Sequence, residues 1–321
     1  MQSDELVHEA LYYSDLDEFL AGCTSFVREG LKDGAAVLVA VPEPRLAMLR
    51  REHRDEPVEF VDMGVTGRNP NRILPWILRA FVREHAPTPV RIIGEPIFVG
   101  RQPEEMDVAV QHEALVNVAF PSVTGTILCP YDVRNLTDLG DADRTHPIVA
   151  DADGRRASPA YTSPYKIYAE RNRPLPDRMV VDEALVFDVN GLSHVRSVVT
   201  QHAADSGLDK SRLTDVGLAV SEICSNAITH GGPGIATIRM WADDDRVVYE
   251  IRGAGHIRDV MAGRTVPPKS AARGRGLLLA NQLCDLIQTY TIPTGTVTRL
   301  HLLLSVTEAA RRLGPTRQST S

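Results

Sequence analysis

The sequence predicts two folded domains of different class: an α/β domain on a mostly parallel sheet over residues 1–140, and an α+β sandwich over 183–307. Three observations carry this. The first half alternates short β-rich runs with helical patterns, the order that gives parallel strands with helical crossovers. The second half instead groups helices and then adjacent strands, as in a sheet with helices on one face. The chain of 321 residues is also long for one hydrophobic core, so two are expected.

In the first half the β-rich runs are "AAVLVAV" (35–41), "PVEFVDM" (57–63), "VRIIGEP" (90–96) and "GTILCPYD" (125–132). Apolar periodicity of the helical kind falls near 16–31, 43–54, 71–85 and 104–119. Residues 141–182 are rich in Asp, Gly, Pro and Ser and read as a linker, packed in part around "YKIYAE". In the second half, "ALVFDV" (184–189) precedes helices near 191–206 and 209–230. Strands come next at "IATIRMW" (235–241) and "RVVYEIR" (246–252), then a helix from about 275, then "LIQTYTI" and "TVTRLHLLL". The polar tail over 308–321 is expected to be disordered.

Composition excludes some functions. The formal net charge is −7, from 35 Lys and Arg against 42 Asp and Glu, which gives no electrostatic reason for binding nucleic acid or an anionic membrane. No apolar run approaches membrane-spanning length, and the opening "MQSDELVHEA" lacks the basic and apolar parts of a secretory leader. A cytoplasmic location is expected. The four cysteines are widely spaced with no CxxC, so spacing suggests neither a zinc site nor a disulfide framework.

The second half carries the more explicit chemistry. In "SEICSNAITHGG" (221–232), Glu222, Asn226 and His230 recur at four-residue steps and so share one helical face. Leu213, Val216, Val220, Ile223 and Ala227 give the same helix an apolar face. A polar stripe of this kind is ordinary on a solvated helix, and the E-x-x-x-N spacing recurs at Glu113 and Asn117. Two glycine pairs further along the chain give the stripe meaning. "IRGAGHI" (251–257) leaves a strand with Gly253 and Gly255, and Gly274-Arg275-Gly276 opens a helix. Glycine lets backbone approach a ligand, and a helix N-terminus offers N–H groups and a positive dipole end to phosphate.

This order of elements resembles the GHKL (Bergerat) ATP-binding fold over roughly 183–305, and "SEICSNAITHG" most resembles the anti-sigma-factor serine kinases. The resemblance implies ATP and Mg²⁺ as cofactors, with Glu222 as general base and Asn226 as Mg²⁺ ligand. It places His230 at the end of the same box, Gly253 and Gly255 in the D-x-G box, and Gly274, Arg275 and Gly276 at the phosphate lid. It implies a sigma factor, an anti-sigma antagonist phosphorylated on serine, or both as partners. One position departs: the Asp of D-x-G falls on Gly253. In the family that Asp accepts a hydrogen bond from the adenine amino group. Glu250 and Asp259 lie nearby in sequence, but strand alternation or distance makes neither a substitute. The alternative is therefore a pseudokinase that binds proteins without turning over nucleotide. A sensor histidine kinase is not supported, because His194 and His202 sit on a short helix of the domain itself.

In the first half, Asp62, Glu95 and Asp132 end predicted strands, at the edge where open α/β sheets bind ligands. The competing reading is that they cap the adjoining loops. Cys129 has no adjacent base in sequence and reads as a small buried residue. "GRNP" (67–70), "GEPIFVGR" (94–101), "HEALVNVAF" (112–120) and "CPYD" (129–132) resemble the MEDS sensory domain over about 6–140. The resemblance implies a relative of RecA/KaiC folds without the phosphate loop, and sensing of a small organic ligand. No residue roles transfer with it. The whole chain then reads as a signal-responsive anti-sigma regulator; whether it is a homodimer is left open.

Overall fold

The structure is a computed structural model and describes residues 6–136, 139–230, 234–267 and 274–304. The chain divides into two compact units, Met1–Arg171 and Asn172–Ser321. The expected disordered tail lies outside the described residues.

The first unit runs β1 (Leu6–Tyr13), α1 (Leu16–Lys32), β2 (Ala36–Val41), α2 (Arg45–Glu52), β3 (Val58–Asp62), α3 (Arg79–His85), β4 (Val90–Gly94), α4 (Pro103–Ala119), β5 (Gly125–Asp132), α5 (Gly140–Thr145), β6 (Ile148–Asp151), β7 (Gly154–Ala157) and α6 (Pro164–Glu170). The helical pattern near 71–85 resolves into a tight turn at Pro70–Arg72, a wide turn over Ile73–Leu78, and α3. The seven strands lie in the order β3-β2-β4-β5-β1-β6-β7, parallel throughout except that β7 returns antiparallel to β6. Phe19, Cys23, Phe26 and Val27 of α1 and Leu46 and Leu49 of α2 bury the face formed by Val37, Val39 and Val41. Helix α4 is buried nearly all round, including His112 and Glu113, which marks it as an interior helix rather than an amphipathic cover.

Two features differ from the sequence expectation. Strand β1, central in the sheet, was not among the expected strands. Its apolar run is interrupted by His8 and Glu9, and both are buried. Glu9 is tolerated because Arg155 of β7 grips its carboxylate through two nitrogens. The segment over 141–182, expected as a linker packed in part around "YKIYAE", is packed over a longer stretch than that. Residues up to Arg171 build α5, the β6–β7 hairpin and α6, and Arg171 binds Asp107 and Asp141.

The second unit comprises β8 (Glu183–Phe187), α7 (Leu192–Asp205), α8 (Leu213–Thr229), β9 (Ala236–Ala242), β10 (Arg246–Gly253), α9 (Gly276–Leu283), β11 (Leu286–Ile292) and β12 (Gly295–Leu303). Its sheet is antiparallel, in the order β11-β12-β10-β9-β8. Val247, Tyr249 and Ile251 of β10 point with Ile238, Met240, Leu300 and Leu302 into a core closed by Val195, Val199, Val216, Val220 and Ile223 of α7 and α8. Strand alternation therefore puts Glu250 on the opposite face. There it is buried against Arg239, Arg252 and Arg299, with Arg299 Nε 2.7 Å from its Oε2. Residues 172–182 strap this second face. Arg299 donates to the Pro176 carbonyl, Arg239 to that of Arg178, and Asn172 exchanges two hydrogen bonds with the backbone of Thr291.

Candidate functional site

Helix α8 presents Glu222 and Asn226 on one edge, one turn apart, as four-residue spacing requires. His230 is its C-cap, with a backbone N–H donating to the Asn226 carbonyl at 3.0 Å. This edge forms one wall of a cleft of about 820 Å³, within the range of small-molecule sites of roughly 300–1,000 Å³. Gly253 and Gly255 at the exit of β10, and Gly274, Arg275 and Gly276 at the start of α9, line the same cleft. The structure thus brings together all eight residues that the sequence singled out in this half.

Close approach of neighbouring atoms explains three of the glycines. A Cβ at position 276 would lie 2.5 Å from Glu222 Oε2 and 3.2 Å from Asn226 Nδ2. The first residue of α9 therefore meets the Glu222–Asn226 edge directly, and any side chain there would displace it. At position 253 a Cβ would lie 2.7 Å from the Ala227 carbonyl oxygen and 2.8 Å from its Cβ. Helix α8 is seated against the end of β10 at a distance that only glycine permits. Gly255 is placed in the same way against the His230 carbonyl, and Gly274 holds a positive φ of 97° before α9.

Sequence reading did not single out the floor of the cleft. Thr296 and Thr298 of β12 line it, facing Gly253 and Ile251 across the strand pair. Thr296 Oγ1 donates to the Gly255 carbonyl at 2.6 Å, and Thr291 Oγ1 accepts from Ile257 N–H at 3.0 Å, which fixes the loop that leaves β10. The signal was the alternation in "TVTRLHL", with its two threonines on one face. Asp259 also lines the cleft, but its carboxylate accepts from Met261 N–H at 2.9 Å and caps its own turn. Glu250 is on the far face of the sheet. Neither replaces the missing acid at 253. His202 does not reach the cleft; it is held by Asp182 at 3.0 Å and by the Tyr249 hydroxyl at 3.2 Å.

Residues 185–302 match the family model described as the histidine kinase-like ATPase domain, and residues 7–147 match that of MEDS, the MEthanogen/methylotroph, DcmR sensory domain. The chain joins a MEDS domain to a histidine kinase-like ATPase domain. Among solved structures, the RsbU and RsbW domains of Rv1364c from Mycobacterium tuberculosis are similar in part. They are 21% identical with a TM-score of 0.28, and the match covers 38% of this chain and 32% of that one. This chain thus spans about a third of the length of that relative. No curated protein matches the chain. No helix among the described residues is long and apolar enough to cross a membrane.

The MEDS domain places its three candidate carboxylates differently. Asp62 and Asp132 end β3 and β5, three strands apart in the sheet order, or roughly 14 Å at about 4.8 Å per strand. Asp62 accepts from Gly64 N–H at 2.8 Å, and Asp132 from the N–H groups of Arg134 and Asn135, both at 3.1 Å. Both cap turns. Glu95, just beyond β4, is fully buried and clasped by Arg45 through two nitrogens, one at 3.2 Å. Burial pushes its carboxyl up to about 8, with Arg45 pulling it down and Asp132 adding a smaller upward push.

Proposed function

We propose that the chain is a signal-responsive anti-sigma regulator whose ATPase domain binds ATP with Mg²⁺ and phosphorylates a serine of an anti-sigma antagonist. One observation carries this reading: the Glu222–Asn226 edge of α8 meets the N-terminus of α9 inside a cleft of nucleotide size. The phosphate end of the cleft fits the cofactor. Oxygen donors suit Mg²⁺, Asn226 supplies one, and the first turn of α9 offers unpaired N–H groups to phosphate oxygens. Bound ATP would supply the phosphoryl group. The chain's own part is to hold it, through Asn226 and residues 274–276, and to accept the serine hydroxyl proton on the Glu222 carboxylate. The MEDS domain, in this reading, receives a small organic ligand and controls the activity.

The adenine end fits less well, and it favours a second reading. Gly253 has no side chain to accept from an adenine amino group, and the packing of α8 fills the space where one would begin. This supports a domain that binds a sigma factor or its antagonist without nucleotide turnover. Calorimetric titration of the full chain with ATP, with and without Mg²⁺, tests the first reading. Mg²⁺-dependent binding with phosphate transfer to a serine-bearing antagonist is expected. Complex formation with a sigma factor or antagonist, with no ATP binding at millimolar nucleotide, would establish the second.

A further inference from the structure

Within the MEDS domain, four metal-ligating side chains that no sequence spacing connects meet at one buried point. His8 comes from β1, Cys129 from the adjacent parallel strand β5, Glu113 from the middle of α4, and His146 from the residue after α5. His8 pairs with Ile127 and Ala10 with Cys129 in the β1–β5 register, so His8 and Cys129 project from the same face, one step apart. Helix α4 brings Glu113 to that face. All four are buried, at 1%, 2%, 0% and 0% exposure for His8, Cys129, Glu113 and His146.

Their ligating atoms lie within 4.8 Å of one another. His8 Nε2 is 3.1 Å from Glu113 Oε2 and 3.3 Å from Cys129 Sγ. Glu113 Oε2 is in turn 3.3 Å from His146 Nε2 and 3.6 Å from Cys129 Sγ. A tetrahedral zinc ion with bonds of about 2.0–2.3 Å places its donors roughly 3.3–3.7 Å apart. Four of the six edges of the cluster are therefore near the lengths such an ion sets.

The hydrogen bonds point the same way. His146 Nδ1 lies 2.9 Å from the Ala142 carbonyl, and a carbonyl only accepts, so Nδ1 carries the proton. In the neutral ring Nε2 then presents a lone pair, and it faces the Glu113 Oε2 at 3.3 Å with no hydrogen-bond partner of its own. Two acceptors directed at each other in a dry interior are costly unless a cation lies between them. Tyr131 donates to the other Glu113 oxygen, Oε1, at 3.2 Å, which leaves Oε2 for ligation. An orienting bond of this kind is what ligating carboxylates and histidines commonly receive. Charge closes as well: a thiolate, a carboxylate and two neutral imidazoles carry −2, which one divalent ion cancels.

We propose that His8, Glu113, Cys129 and His146 form a closed, four-donor site for a divalent transition ion of the zinc type. The site is independent of the nucleotide cleft and of the reading given to it. Loading replaces the Cys129 thiol proton by the metal: the S–H bond breaks, an S–metal bond forms, and one proton leaves to solvent. With every position filled by protein, the ion ties the first strand of the domain to the end of α5 in the manner of structural zinc.

The test uses the untagged full chain. Its metal content is measured as purified, and it is then stripped with chelator and titrated with Co²⁺. One equivalent per chain is expected, with the visible bands of tetrahedral cobalt and a thiolate charge-transfer band. Both should vanish in Cys129→Ala and persist in Cys224→Ala, whose cysteine lies in the other domain. Tyr131→Phe keeps all four donors and should weaken affinity by roughly 10- to 100-fold, as loss of an orienting partner does. It also answers the case in which Cys129→Ala fails to fold. Folded protein that carries no metal and takes up no Co²⁺ overturns the proposal. So does cobalt bound with a spectrum that Cys129→Ala leaves unchanged, or with an affinity that Tyr131→Phe leaves unchanged.

Discussion

Restoring an aspartate at position 253 is the natural way to rebuild adenine recognition, and the structure predicts that it largely fails. A charge-assisted bond to the adenine amino group would contribute about 1.5–3 kcal/mol, or roughly 10- to 150-fold in affinity. The Cβ that must carry it would lie 2.7, 2.8 and 2.9 Å from the carbonyl oxygen, Cβ and Cα of Ala227. Relaxed carbon contacts are at about 3.5–4.0 Å. None of the three Ala227 atoms belongs to a side chain that can rotate away, so α8 itself must move by several tenths of an ångström, and Glu222 and Asn226 move with it. Overpacking of this kind costs about 1–3 kcal/mol. In a unit of this size that lowers the melting temperature by roughly 3–10 °C. Gly253→Ala should show the stability loss alone. Gly253→Asp should show the same loss with a gain in ATP affinity below tenfold. Melting curves and ATP and GTP titrations of the three proteins measure both. An aspartate variant that melts with the wild type and binds ATP a hundredfold more tightly would refute the reasoning, because α8 would then not be held against β10.

Other residues already placed can be tested in the same way. On the phosphotransfer reading, Glu222→Ala should abolish phosphate transfer and leave ATP affinity within a few-fold, whereas Asn226→Ala should remove the Mg²⁺ dependence of binding; equal loss of binding in both would deny them separate roles. Glu95→Gln mimics a protonated Glu95, whose folded value of about 8 lies above the ordinary 4.5. The folded state therefore holds the extra proton across that window, and relative to the variant the wild type should lose stability as pH rises from about 4.5 to 8 and change little beyond it; chemical denaturation of the MEDS domain at several pH values, showing a difference of the opposite sign, would count against this. Glu250→Ala leaves Arg239, Arg252 and Arg299 without their shared carboxylate, and should cost about 3–5 kcal/mol with no direct effect on the cleft, read by denaturation of the ATPase domain.

The parts of the fold legible in the sequence are those whose burial follows a single period. The runs at 35–41, 90–96 and 125–132 are apolar because their strands lie inside the sheet, and the four-residue stripe of Glu222 and Asn226 is visible because one helix carries both. Strand β1 escaped because His8 and Glu9 break its apolar pattern, and each is buried only by virtue of partners distant in sequence: Glu113 for His8, Arg155 for Glu9. The β6–β7 hairpin escaped for the opposite reason. All four residues of β7 are exposed, so no alternation marks it. The cluster around Cys129 was invisible to any spacing rule, since its members stand at 8, 113, 129 and 146 and only the topology assembles them. At Asp62 and Asp132 the sequence showed carboxylates at strand ends, and the structure gives them to turns.

The segment over 172–182 has a consequence for how the ATPase half can be isolated. The recognisable domain begins at 185, but Pro176 and Arg178 supply the carbonyls that Arg299 and Arg239 require, and Asp177 pairs with Arg239 as well. A fragment trimmed to the boundaries of its homology would strip acceptors from two guanidinium groups and uncover Trp241, over which Arg178 and Arg299 are stacked. Its solubility and cooperativity would then report the cut rather than the protein. The compact unit of this half starts at Asn172, about a dozen residues before the family match begins, and that is where a fragment keeps these contacts.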